Sequence, residues 1–135
     1  MERRRREVIL ADRAPAPIGP YSVAVRAGGM LFASGQVGID PKTGDIVSGG
    51  IEAETRQALT NLKNVLEAGG SAPERVLKTT VFLKDMAEFA LMNAVYAEFF
   101  PEDPPARSTV AVAGLPKGAR VEIEAVAAMA EAHGN

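Results

Sequence analysis

The chain of 135 residues contains no cysteine and a single histidine. Without cysteine there is no disulfide framework, no thiolate nucleophile and no Cys-based zinc site. The one histidine, His133, lies in the polar tail EAHGN. No His/Cys metal cluster can therefore form within a chain, and no Ser-His-Asp set is credible. P-loop and GxGxxG phosphate fingerprints are missing. No apolar run approaches the ~20 residues of a membrane span. The N-terminal MERRRREVIL carries positive charge without the apolar stretch or small-residue cleavage site of a secretory signal. A formal charge of −2 does not describe a general polyanion binder. A reducing, cytoplasmic setting fits these absences. The run Arg3 to Arg6 invites an RNA reading, but it reads better as a frayed, solvated N-terminal arm. An acidic total and no aromatics near the run weaken a single-strand binding surface.

What is present is ordinary globular usage, 47% hydrophobic and 24% charged residues. The length fits one domain over residues 1–135, with a basic arm at 1–6 and a tail at 129–135 expected to be flexible. A chain of this size buries roughly two-thirds of its unfolded surface and needs no staple. Glu7 to Leu10 reads as a first strand. Pro15, Pro17 and Pro20 then forbid a helix and favour an extended crossing. Ser22 to Arg26 and Met30 to Ser34 read as strands around an Ala-Gly-Gly turn. Residues 51–68 read as a helix, with Ile51, Ala58, Leu59, Leu62, Val65 and Leu66 at helical spacing and Gly69-Gly70 as the stop. Val76 to Leu83 is strand-like. Asp85 can cap a second helix over about 86–99, whose Phe89, Met92, Tyr96 and Phe99 form one stripe. Strands at about 106–113 and 119–128 complete a β-β-β-α-β-α-β-β order. The expected class is α+β, a mixed sheet with two helices on one face. An apolar opposite face would have to meet another subunit.

The segment PPARSTVAVAGLPKGARVEIEAVA, residues 104–127, places charges among strand residues. Pairing 106–113 with 119–128 as an antiparallel hairpin sets Val110 and Val112 beside Val121, Ile123 and Ala125. It then puts Arg107 and Thr109 on one face with Glu122 and Glu124. That grouping is open to two readings. It can be a cross-strand ion pair on a solvated or intersubunit surface. It can also be an anion site, with the arginine fork matched to a carboxylate or phosphate and a glutamate as general base or water holder.

The same segment resembles the signature of the RidA family: a Pro-Ala-Arg-Ser start, a hydrophobic strand, a Leu-Pro loop and an apolar-Glu-Ile-Glu end. Ala16-Pro17-Ile18-Gly19-Pro20-Tyr21-Ser22, Ala33-Ser34-Gly35-Gln36, Lys78-Thr79-Thr80-Val81-Phe82-Leu83-Lys84-Asp85 and Met92-Asn93 to Phe99-Phe100 extend the likeness over about residues 7–128. The resemblance implies a chorismate-mutase-like fold and a homotrimer with ligand clefts between subunits. It further implies hydrolytic deamination of 2-imino acids and their enamine tautomers, such as 2-iminopropanoate and 2-iminobutanoate. Those intermediates leave pyridoxal-phosphate dehydratases, and the products are 2-keto acids and ammonia. No metal or organic cofactor is implied.

By position, the resemblance assigns Arg107 to the substrate carboxylate and Glu122 to the attacking water. It assigns Tyr21, Ser34, Gly35 and Asn93 to the cleft lining. Thr109 stands where many members carry cysteine; the contact there is assigned to backbone, so substrate binding should survive, but no thiol remains for a redox role. Glu124 is left structural. Two other functions stay open: an endoribonuclease or translation inhibitor, for which the arginine run is the only local support, and a non-catalytic keto-acid binder.

Overall fold

The computed structural model describes residues 6–130; Arg3 to Arg5 of the basic run and His133 lie outside them. Eight main elements follow one another: β1 (Glu7–Ile9), β2 (Ala24–Ala27), β3 (Met30–Val37), α1 (Gly50–Ala68), β4 (Val76–Leu83), α2 (Phe89–Phe99), β5 (Ala106–Ala111) and β6 (Val121–Ala128). The order matches the sequence reading. Boundaries differ where polar backbone groups find other partners. Asp85 does cap, its carboxylate accepting from the Ala87 N–H at 2.9 Å, but the turn it opens, Met86–Glu88, is a 3-10 turn that precedes α2. Strand β3 runs to Val37, because a bulge between Ala33 and Gln36 lets it continue past Ser34-Gly35. Met129 and Ala130, expected in a loose tail, are held: their N–H groups donate to Gly29 O at 3.0 Å and Gly70 O at 2.9 Å.

The six strands lie in the order β1-β2-β3-β6-β4-β5. This corrects the hairpin expected for residues 104–127. Strand β6 pairs antiparallel with β3 on one side and β4 on the other, while β5 pairs parallel with β4 at the sheet edge. The physical reason lies in composition. Strand β6 buries Val121, Ile123, Ala125 and Ala127 in strict alternation and suits the centre of the sheet. Strand β5 follows Pro104-Pro105 and buries no residue fully, which suits an edge. Residues 112–120 leave enough chain for β6 to pass its neighbour in sequence and insert between β3 and β4.

Both helices cover one face, as expected. From α1, Leu59, Leu62, Val65 and Leu66 meet Leu31, Val81, Leu83 and Ile123 of the sheet, and α2 adds Met92 and Tyr96. Helix α1 also buries polar groups that periodicity passes over. Asn61 is fully buried, and its Nδ2 donates to Val37 O at 3.1 Å and Ile39 O at 2.8 Å. These two bonds pin the segment leaving β3. Among the described residues the opposite face of the sheet carries no helix, and it exposes large apolar groups, Phe32 at 48% and Val110 at 43%.

Asn61→Ala should destabilise the chain by about 2 kcal/mol, because both buried Nδ2 bonds are lost and the Ile39 carbonyl loses the donor described for it, while Val37 O keeps the Ile39 N–H. Urea unfolding at fixed protein concentration measures the change, and a shift near zero would contradict the pinning role.

Candidate active site

The pairing decides which face each predicted residue occupies. Thr79 stands opposite Ala125 on β6 and opposite Arg107 on β5. Arg107 therefore shares the helix-covered face. Phe82 stands opposite Glu122, and Thr80 opposite Glu124, so both glutamates lie on the open face with Ser108 and Val110. The expectation that Arg107 and Thr109 share a face with Glu122 and Glu124 is thus corrected, as is the placing of Val110 with Ile123. Alternation within β6 holds; it was the antiparallel β5–β6 pairing that misplaced Arg107.

Around Arg107 a first group assembles on the β5 edge and α2. The guanidinium carbon lies 4.7 Å from the Tyr96 ring centroid and 5.6 Å from that of Phe89. Ring faces attract a cation and hold its plane without neutralising it. Among the described residues no carboxylate lies within ion-pairing distance of Arg107. The Tyr96 hydroxyl is 2.7 Å from Thr79 Oγ1. Burial raises the Tyr96 phenol above its ordinary pKa, against the lowering pull of the Thr79 bond and the Arg107 charge. Tyr96 and Phe89 went unnoticed as site residues in the sequence, where they read as core stripe. Thr109 follows Arg107 on the same face and Asn93 precedes Tyr96 by one helical turn. Thr109 Oγ1 and Asn93 Oδ1 are both buried without a hydrogen-bond partner. Orphaned polar atoms are rare inside proteins and call for a physical reason. Thr109 shares the Arg107 face of β5, and Asn93 shares the α2 turn of Tyr96, whose ring meets the guanidinium.

A second group forms on the other side of the sheet. Glu122 extends over Gly35, where a Cβ would sit 2.5 Å from Glu122 Oε2 and 2.8 Å from its Cδ. The bulge of β3 makes this close approach possible. Ser34 secures the bulge by donating its Oγ to Ser22 O at 2.6 Å and its N–H to Val23 O at 2.9 Å. Ser34 is thus anchored to backbone, while Gly35 supplies space. Tyr21, 47% exposed, lines the same small cleft with Gly35, Pro116 and Glu122, and its hydroxyl accepts from the Ile18 N–H at 3.3 Å. Burial first, and the Glu124 charge second, push the Glu122 carboxyl above the ordinary glutamate value. Such a group can exchange protons nearer to neutral pH than a solvated glutamate.

The predicted residues therefore fall into two clusters on opposite faces: Arg107, Thr109 and Asn93 in one, and Tyr21, Ser34, Gly35 and Glu122 in the other. No group of three metal-ligating side chains exists among the described residues. No helix of the described residues is long and apolar enough to cross a membrane.

The family model described as Endoribonuclease L-PSP matches residues 11–129. The chain belongs to the RutC/RidA family. A RutC family protein of Pyrococcus horikoshii is 57% identical over 122 residues, covering 90% of this chain and 97% of the relative. The mouse 2-iminobutanoate/2-iminopropanoate deaminase is 49% identical over 122 residues, covering 90% of each chain. Among solved structures, E. coli TdcF with bound serine superposes with a TM-score of 0.87 at 40% identity, over 92% of this chain and 99% of that one. The RidA fold is thus the α+β arrangement described above, a mixed six-stranded sheet with two helices.

Glu122→Gln should raise stability slightly at neutral pH. With the folded-state pKa raised, the ionised form costs stability; that cost is fully present above the raised pKa and absent below the ordinary value of 4.5. Thermal unfolding across this range should show the advantage of the variant shrinking as pH falls. An advantage that grows on acidification would reverse the assignment.

Proposed function

We propose that the protein hydrolyses 2-imino acids and their enamine tautomers to 2-keto acids and ammonia. The observation that carries this reading is the ring-stacked, carboxylate-free guanidinium of Arg107, a fixed cation suited to a small α-carboxylate. The deaminase named among the relatives and the serine in the E. coli TdcF structure, itself an α-amino carboxylate, support the same substrate class.

In the proposed reaction Arg107 takes the carboxylate of the imino acid as a bidentate pair. Glu122, its pKa lifted by burial, accepts a proton from water as the water oxygen bonds to the C=N carbon. That proton passes to the imine nitrogen to give the carbinolamine; Glu122 then takes the carbinolamine hydroxyl proton and delivers it to the amino nitrogen as the C=O forms, the C–N bond breaks and ammonia leaves. The equation balances with water as the only co-reactant. The unpartnered Thr109 hydroxyl can donate to the carboxylate, the Asn93 Oδ1 can accept from the imine N–H, and Tyr21 walls the cleft.

Arg107 and Glu122 occupy opposite faces of one sheet, so they can act on one substrate only if the Arg107 side of one chain meets the Glu122 side of another. The exposed Phe32 and Val110 give the helix-free face an apolar surface for such a contact. This fits the homotrimer with intersubunit clefts, a closed ring of one repeated heterologous contact.

Arg107→Ala should lower kcat/KM for imine hydrolysis by roughly 10- to 100-fold, the value of a charge-assisted contact. Coupling to a threonine dehydratase and following 2-ketobutyrate measures it; equal rates for variant and wild type would remove the deaminase reading. RNA cleavage that survives purification would favour a nuclease, and tight keto-acid binding without turnover would favour a binder.

Mixing two variants, each impaired in one half of the site, tests the shared cleft. Arg107→Ala and Glu122→Gln chains, unfolded and reassembled together, should recover about a quarter of wild-type activity by random assortment around a ring. No recovery from verified mixed oligomers would show that each chain uses its own pair.

A further inference from the structure

Glu54 lies in the first turns of α1 and is 5% exposed, although it is a carboxylate facing the packed side of the helix. Its Oε1 accepts the backbone N–H of Arg120 at 2.8 Å, and its Oε2 lies 3.7 Å from Arg120 Nε. Arg120 Nη1 in turn donates to Glu88 Oε2 at 2.8 Å, and the Arg120 carbonyl accepts from the Lys84 N–H at 3.0 Å. Glu88 Oε1 is buried and has no partner. Burying carboxylates is costly even when they are paired, and an apolar side chain would serve plain packing better.

What these groups hold gives the cluster its meaning. Arg120 leads into β6, and Glu122 follows two residues later. Glu88 immediately precedes Phe89, the ring beside Arg107. The cluster thus joins the entry of the strand bearing Glu122 to the entry of the helix that backs Arg107. Glu54 itself cannot drift. A Cβ on Gly38 would lie 2.8 Å from Glu54 Cα and O, so this turn of α1 is pressed on the segment leaving β3.

We propose that Glu54 and Arg120 are positioning residues that set both halves of the cleft: Glu54 fixes the entry of β6 and so holds Glu122 over Gly35, and Arg120, through Glu88, holds Phe89 beside Arg107. The kinetic part of this proposal rests on the imine-hydrolase reading; the relay itself does not. Three variants separate positioning from stability. Glu54→Leu removes the acceptor for the Arg120 N–H, Glu54→Gln restores a neutral one, and Arg120→Met breaks the side-chain pairs while keeping the backbone bond. Arg56→Ala is the control, since it breaks a separate ion pair, between α1 and α2, to Glu98 at 2.9 Å, that touches neither cluster.

Glu54→Leu should lower kcat by about 10- to 100-fold through a displaced Glu122. Glu54→Gln should recover most of that loss. Arg120→Met should raise KM more than it lowers kcat, because the arginine platform loosens first. Arg56→Ala should change neither constant, whatever its melting temperature. Backbone amide NMR gives a readout free of activity: Glu54→Leu should shift the Gly35 resonance and Arg120→Met that of Phe89. If Glu54→Leu fails to fold, Arg120→Met and Glu54→Gln carry the comparison. Constants that follow melting temperature alone, with Gly35 and Phe89 unmoved, would overturn the relay. A wild type without imine hydrolysis would remove the proposed function and leave the relay to be judged on the two resonances.

Discussion

Strand β6 is hydrogen-bonded along both edges, to β3 and to β4, and its alternation cannot slip by one residue without burying carboxylates under α1. Everything else in the molecule is arranged around that constraint. Val121, Ile123, Ala125 and Ala127 close the core against the helices, which leaves Glu122 and Glu124 no choice but the open face. Burial of nonpolar groups on one side of a strand thus fixes where an acid stands on the other. The hydrophobic effect supplies the register, and the register supplies the chemistry.

The separation of Arg107 from Glu122 has an electrostatic side. An arginine within a few ångströms would favour the ionised carboxylate and pull its pKa down. On the opposite face, Arg107 is absent from the surroundings that set the Glu122 carboxyl, where burial and Glu124 both act upward. Arg107 for its part is steadied by ring faces that leave its charge free. Each group keeps in isolation the property that a shared face would cancel. In the proposed cleft they meet across a bound substrate, with the substrate's own carboxylate taking the arginine.

Much of this was legible in the residues. Element order, the apolar stripe of α1 and the alternation within β6 follow from local periodicity. The Pro-Ala-Arg-Ser and Glu-Ile-Glu segments mark the RidA family. Strand pairing was not legible, because β5 and β6 are neighbours in sequence and nothing local says that the second strand will pass the first to pair with β3 and β4. Arg107 was therefore set on the wrong face while Glu122 was set on the right one. Polar residues inside apolar stripes escaped for a related reason. Glu54, Asn61 and Tyr96 each find partners far away in sequence, at Arg120, at Val37 and Ile39, and at Thr79. A carboxylate or amide at a helical core position was the available signal.

The strand order also bears on how the chain is made. Strands β1 to β3 form one hydrogen-bonded group and β4 with β5 another, and only β6, the last of the six along the chain, joins them. A ribosome releases that joining strand after all the others. Until then two sheet fragments stand with unpaired inner edges and an uncovered apolar face, the condition in which nascent chains associate wrongly. Folding of the whole sheet therefore waits until β6 has been made, and a chain cut short before Val121 would lose its central strand rather than a peripheral one.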